Sequence, residues 1–234
     1  MNLETLYPNT TMNNAAKSGL SLQALRVSPL ILALACLVGC ATSGYKKSDA
    51  AALSSKEASA KVQAETRDLQ TTMSALNDLS NQSSGDFKSQ FLLFSRALDQ
   101  LTATTRQAGS VVDRLSRQRA SYFTAWDKEL VAIQDEEIRK TSQARRLEVS
   151  NQFDAAKRSF DQSQTGLHSL TAYLQDIRKA LRTDLTRHGL EGVKPSVNNA
   201  NEYTRKLQSE LAQAVSDLDT LSSRMSSVQV QEGK

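Results

Sequence analysis

From Phe87 onward, steps of four and three residues alternate through Phe91, Phe94, Leu98, Leu101, Thr105, Ala108, Val112, Leu115, Arg119, Tyr122, Trp126, Glu129 and Ile133. Eleven of these 14 positions are apolar, whereas the whole chain is only 39% hydrophobic. A heptad stripe held this long predicts a long amphipathic helix. The same steps from Val149 give Phe153, Ala156, Phe160, Ser163, Leu167, Leu170, Leu174, Ile177 and Leu181. From Val197 they give Ala200, Thr204, Leu207, Leu211, Ala214, Leu218, Leu221, Met225 and Val228. A weaker stripe runs through Val62, Leu69, Met73 and Leu76. The pattern predicts an all-α protein with four long helices, at about 51–82, 86–134, 137–188 and 196–230.

The breaks follow from turn chemistry. Asn81-Gln82-Ser83-Ser84-Gly85-Asp86 is a turn cluster, and Asp86 is a candidate N-cap. A break near Gln134–Glu136 separates the second and third helices, with its acidic residues suited to a helix N-terminus. Gly189 and Gly192 read as a C-terminal stop for the third helix. Pro195-Ser196 then reads as the start of the fourth, with Arg187 and His188 at the negative end of the third. Gly109 and Gly166 lie inside helices, where each costs about 1 kcal/mol relative to alanine.

Extra apolar residues beside the stripes (Leu92, Leu93, Phe123, Leu130) widen the buried face, so a bundle is expected rather than a two-stranded rod. Short connections make neighbours antiparallel. A turn near 135 makes the second and third helices a matched hairpin, roughly 70 Å long at 1.5 Å per residue. The first and fourth helices are shorter. The expected shape is an elongated antiparallel bundle with a protruding two-helix hairpin of about 118–153, roughly 25 Å long. Tyr122, Phe123, Trp126, Leu130, Ile133 and Ile138 lie on it, and the first five form a candidate contact patch for a partner or membrane. Arg119 and Glu129 interrupt the stripe. In this register Glu129 falls near Arg145 and Arg146, a candidate structural ion pair. Arg114, Arg117, Arg119, Lys140, Arg145 and Arg146 cluster toward the same end, either as a solvated face or as a contact for anionic headgroups.

The N-terminal region has a different grammar. Arg26 precedes an apolar run from Leu30 to Val38, followed by Gly39 and Cys40. A positive segment, a short apolar segment and a small residue before the cut are the layout of a secretory signal. The run is too short to span a bilayer, which takes about 20 residues. Leu37-Val38-Gly39-Cys40 resembles the lipobox of bacterial lipoproteins, which implies a signal peptide over residues 1–39, lipidation at Cys40 and a tether over 40–50. Met12 reads as the true start, since it shortens the signal to 28 residues with Lys17 and Arg26 at its positive end. Ala41 after the cysteine resembles the outer-membrane sorting pattern. The expected location is the cell envelope, lipid-anchored, on the periplasmic face of the outer membrane. The bundle domain then occupies 51–232.

Loss of Glu4, Lys17 and Arg26 with residues 1–39 takes the formal charge from +4 to +3, too weak a bias to indicate nucleic acid. Both cysteines, Cys36 and Cys40, lie in the signal and lipobox, so no disulfide is expected in the mature fold. His168 and His188 are the only histidines, and a structural zinc site wants four ligands, so no metal or other cofactor is expected. No glycine-rich phosphate loop or serine nucleophile motif occurs, and the reading is non-catalytic.

Phe123-Thr124-Ala125-Trp126-Asp127-Lys128-Glu129-Leu130, Ser142, Leu147 and Leu181-Arg182-Thr183-Asp184-Leu185-Thr186 carry a resemblance from about Lys56 to the C-terminus. The stretch resembles a family of helical bacterial lipoproteins, mainly gammaproteobacterial, catalogued only as a domain of unknown function. That resemblance implies a helical fold and a lipid anchor, and it brings no activity with it. Thr183, Asp184 and Thr186 depart from its Leu-Lys-His-Asn-Leu-Asn pattern, so roles of that His and those Asn residues do not carry over. The leading expectation is a lipid-anchored envelope scaffold or interaction protein with an envelope protein partner. The alternative is a carrier or sensor holding a lipid or other apolar ligand, for which Ala108, Ala156, Ala200, Ala214, Gly109 and Gly166 would leave room. Heptad surfaces also pair between molecules, so a homodimer stays open.

Overall fold

The structure, a computed structural model, describes residues 44–227. The expected signal segment, Cys40 and residues 228–232 of the expected bundle lie outside these. Four helices account for the described chain: α1 (Gly44–Asn81), α2 (Phe87–Ala132), α3 (Glu136–Thr183) and α4 (Arg187–Met225). They form an all-α antiparallel bundle in which α1 packs on α2 and α4, and α3 packs on α4 and more sparsely on α2. No described residue lies in a strand, and no described helix is long and apolar enough to cross a membrane.

The stripes become the core. All ten stripe positions of α3 and all nine described ones of α4 are buried. Leu69, Leu76, Phe94, Leu98, Leu101, Leu167, Leu174, Leu211 and Leu218 are all less than 2% exposed. Each such side chain contributes about 1.5–3 kcal/mol relative to remaining in water. The first two breaks fall where the turn chemistry puts them. Asp86 caps α2 by accepting from the Lys88 N–H at 3.0 Å and the Ser89 N–H at 3.2 Å. Gly85 before it has φ +114°, a conformation only glycine adopts without strain. Asp135 caps α3 by accepting from Ile138 N–H at 2.9 Å, and Glu136 and Glu137 occupy its first turn.

The first helix and the α3–α4 corner differ from expectation. The first helix starts at Gly44 rather than near 51, which shortens the expected tether. Its early turns are held by small residues rather than an apolar stripe: Ser48, Ala51, Ala52, Ser54, Ser55, Ala58 and Ser59 are buried. Ser48 Oγ donates to the Met225 carbonyl at 2.6 Å and Ser55 Oγ to the Leu218 carbonyl at 2.8 Å, so α1 is bonded closely to α4. The α3–α4 break lies at Asp184–Thr186, not at the glycines. Thr186 caps α4 by accepting from Gly189 N–H at 3.2 Å. Gly189 is required because a Cβ there would stand 2.1 Å from the Asp184 carbonyl oxygen. Arg187 and His188 therefore open α4 instead of closing α3, and Pro195 lies inside it. Proline costs a helix bond at this position, but Leu190 and Val197 on either side are each only 2% exposed, and their burial holds the extra turns.

The hairpin is shorter than expected. Lys47 Nζ reaches the Ser121 carbonyl at 3.3 Å, and Arg224 pairs with Glu148 at 2.6 Å. The four-helix body thus extends to about residues 121 and 148, and the two-helix tip beyond is roughly 16 Å long. Starting α1 seven residues earlier accounts for the difference.

Candidate functional site

The tip carries its own packed cluster. Trp126 Nε1 donates to Ser142 Oγ at 2.9 Å, tying α2 to α3. Tyr122 lies 5.3 Å from Trp126 and 5.5 Å from Phe123, between ring centroids. Phe123 meets Phe153 edge-on at 5.7 Å. The Arg146 guanidinium lies 4.8 Å over the Phe123 ring and donates to Asp127 Oδ2 at 2.8 Å. Such aromatic and cation–π contacts are each worth about 0.5–1.5 kcal/mol. They hold the two projecting helices to each other.

The expected contact patch is therefore largely internal. Phe123 and Leu130 are buried, and Tyr122, Trp126 and Ile133 are partly buried. The apolar side chains offered to solvent are Val131 (83% exposed), Ile138 (60%) and Leu147 (61%). A shallow groove of about 620 Å³ lies beside Trp126, lined also by Ile138, Thr141, Ser142 and Arg145.

The expected ion pair is also redrawn. Glu129 is exposed, and Arg146 pairs with Asp127 instead. The level was right and the azimuth wrong: residues two apart on a helix point about 200° apart. Arg145 pairs with Glu148 at 2.6 Å, and Arg145 and Arg224 together hold the Glu148 carboxyl below its usual range. The stripe's other interruption is paired across the hairpin. Arg119 pairs with Asp154 at 2.8 Å and donates to Ser150 Oγ at 3.2 Å. Arg114 pairs with Glu57, and Lys140 with Glu136 at 3.0 Å. The basic cluster is thus largely met by carboxylates of this same chain, which weakens the case for an anionic-headgroup contact.

One buried group went unread in the sequence. Glu65 on α1 is 0% exposed, and Gln164 Nε2 on α3 donates to both its oxygens at 3.0 Å. Helices α1 and α3 lie diagonally across the bundle, so this bond crosses its centre. Burial pushes the Glu65 carboxyl up to about 8, against the opposing pull of the Gln164 bond, and the nearby charge of Asp68 adds to the rise. The signal was available: steps of three and four from Val62 land on Glu65, Leu69, Thr72 and Leu76, all buried.

Of the small residues named for a ligand chamber, the four alanines are packed, and Gly109 and Gly166 are half-buried. Ala108, Ala156, Ala200 and Ala214 are at most 1% exposed. The hollow bounded by Val112, Leu115, Phe153, Ala156 and Leu218 is about 80 Å³, against the 300–1,000 Å³ of small-molecule sites. A larger, open groove of about 830 Å³ lies between α3 and α4 over Gly166, Leu170, Tyr173, Tyr203 and Leu207. His168 and His188 are exposed. Among the described residues no three His, Cys, Asp or Glu side chains group as metal ligands.

A family model described as a protein of unknown function (DUF2959) matches residues 39–225. No curated protein and no solved structure matches the chain.

Proposed function

The chain belongs to this family of proteins of unknown function, and from that premise we propose that it is a non-catalytic, lipid-anchored scaffold or interaction protein of the cell envelope. The anchor is the lipid on Cys40, and the working end is the hairpin tip. One observation carries the reading: the tip is braced by the Trp126–Ser142 bond and the Tyr122–Phe123–Trp126 cluster, yet leaves Val131 and Ile138 in solvent. A rigid projection with exposed apolar side chains is built to touch something else. The lipobox-like Leu37–Cys40 and the match beginning at residue 39 support the anchor.

Fractionation tests the anchor. The wild-type protein is expected in the membrane fraction, with a lipid-sized mass increase on its N-terminal peptide, and Cys40→Ala in the soluble fraction. A membrane-bound Cys40→Ala protein would refute anchoring through this residue.

A further inference from the structure

We propose that the hairpin tip docks on the same bilayer that holds the Cys40 lipid, through the apolar side chains at its end; this rests on the anchored reading above. Two lengths carry it. Lys47 contacts Ser121, so Gly44 stands level with about residue 124 of α2. Helix α2 continues to Ala132, which places the tip about 12 Å beyond the start of α1 at 1.5 Å per residue, before the turn is added. Only Ala41, Thr42 and Ser43 separate Cys40 from α1. That leash reaches at most about 14 Å when fully extended. The leash is thus about as long as the projection beside it. With the tip pointing away from the bilayer, the lipid would have to span the length of the body instead, roughly 55 Å for α1. With the hairpin end toward the bilayer, the molecule keeps its tip within reach of the surface.

The chemistry of the end fits an interface. Val131 and Ile138 lie on either side of the turn, 83% and 60% exposed. Trp126 lies partly exposed behind them, its indole N–H already satisfied by Ser142. Residues 124–146 carry five basic and five acidic side chains, a net charge of zero. Docking therefore relies on apolar contact and is insensitive to salt and to the fraction of anionic lipid, unlike attraction by a basic patch.

The test uses full-length lipidated protein in vesicles of phosphatidylethanolamine and phosphatidylglycerol. Single thiols from Val131→Cys and Ile138→Cys, and from Thr183→Cys at the far end of α3, are labelled with a polarity-sensitive fluorophore. Nitroxide-bearing lipid serves as the quencher. Labels at 131 and 138 should shift to the blue and lose emission to the quencher, at low and high salt alike, and the label at 183 should not. Protein that floats with the vesicles but shows no quenching at 131 and 138 overturns the docking while leaving the anchor intact. Protein that fails to float removes both. Quenching that disappears at high salt overturns the apolar mechanism.

Discussion

Glu65 is the residue whose environment departs most from what water allows. A carboxyl raised from about 4.5 to about 8 is held neutral in the folded chain at pH 7. The sign of the pH dependence follows. Below about pH 4.5 the group is protonated in both folded and unfolded chains, and its neutral burial costs nothing through proton binding. Between about 4.5 and 8 the unfolded chain gives up the proton first, so stability falls as pH rises, by up to about 1.4 kcal/mol per pH unit, and levels off above 8. Glu65→Gln keeps the shape and cannot ionise. Its unfolding free energy should match wild type near pH 4 and exceed it by a few kcal/mol at pH 8. Denaturant titration of both proteins at the two pH values checks this, and equal gaps at both would refute the buried neutral carboxyl. Comparing the two proteins cancels the opposite trend of Glu148 and Asp86, whose lowered carboxyls lose stabilisation as pH falls.

At the scale of elements, α1 differs from its neighbours. Its first half meets α4 through serine and alanine, with Ser222 Oγ also donating back to the Ala52 carbonyl at 2.9 Å. Close backbone approach leaves no room for a larger side chain. Ala58→Leu adds apolar surface at a position 0% exposed, yet should destabilise by about 1–3 kcal/mol through overpacking. Thermal unfolding followed by helical circular dichroism measures it, and an unchanged midpoint would mean α1 and α4 can move apart freely. This packing also explains what was legible. Helices α3 and α4 were readable because leucine and phenylalanine mark their buried positions. The first turns of α1 were not, because serine and alanine mark theirs and look the same exposed or buried. The α3–α4 corner misled for a related reason. Glycine is the usual helix stop, but Gly189 serves a close approach to Asp184, and the stop is made by the Thr186 cap. The residues that carry the family resemblance fall at two structural joints. Trp126 and Ser142 bond to each other across the tip, and Asp184 accepts from Thr186 Oγ1 at 2.7 Å at that corner.

For the molecule as a whole, the deciding feature is the unequal length of its helices. Helices α2 and α3, at 46 and 48 residues, outrun α1 and α4, at 38 and 39. The excess all emerges at the end where α1 begins. Periodicity and turn positions made this asymmetry legible, whereas the faces of the projecting residues depended on azimuths that a stripe alone leaves open. If the projection is an appended contact element, the body should not need its end. Residues 128–141 can be removed and 127 joined to 142 by a short turn, since the Trp126–Ser142 bond already brings the helices side by side there. The deletion spares the Phe123–Phe153 contact and the Arg146–Asp127 pair. It removes Leu130, Val131 and Ile138, of which only Leu130 is buried, at 7% exposed. The shortened chain should unfold cooperatively with a stability within about 1 kcal/mol of wild type, as changes away from a core do. It should also lose contact crosslinks made from the tip while remaining in the membrane fraction. A collapse in stability would instead make the hairpin end part of the folding core, and its exposed apolar residues would then lose their claim to a separate role.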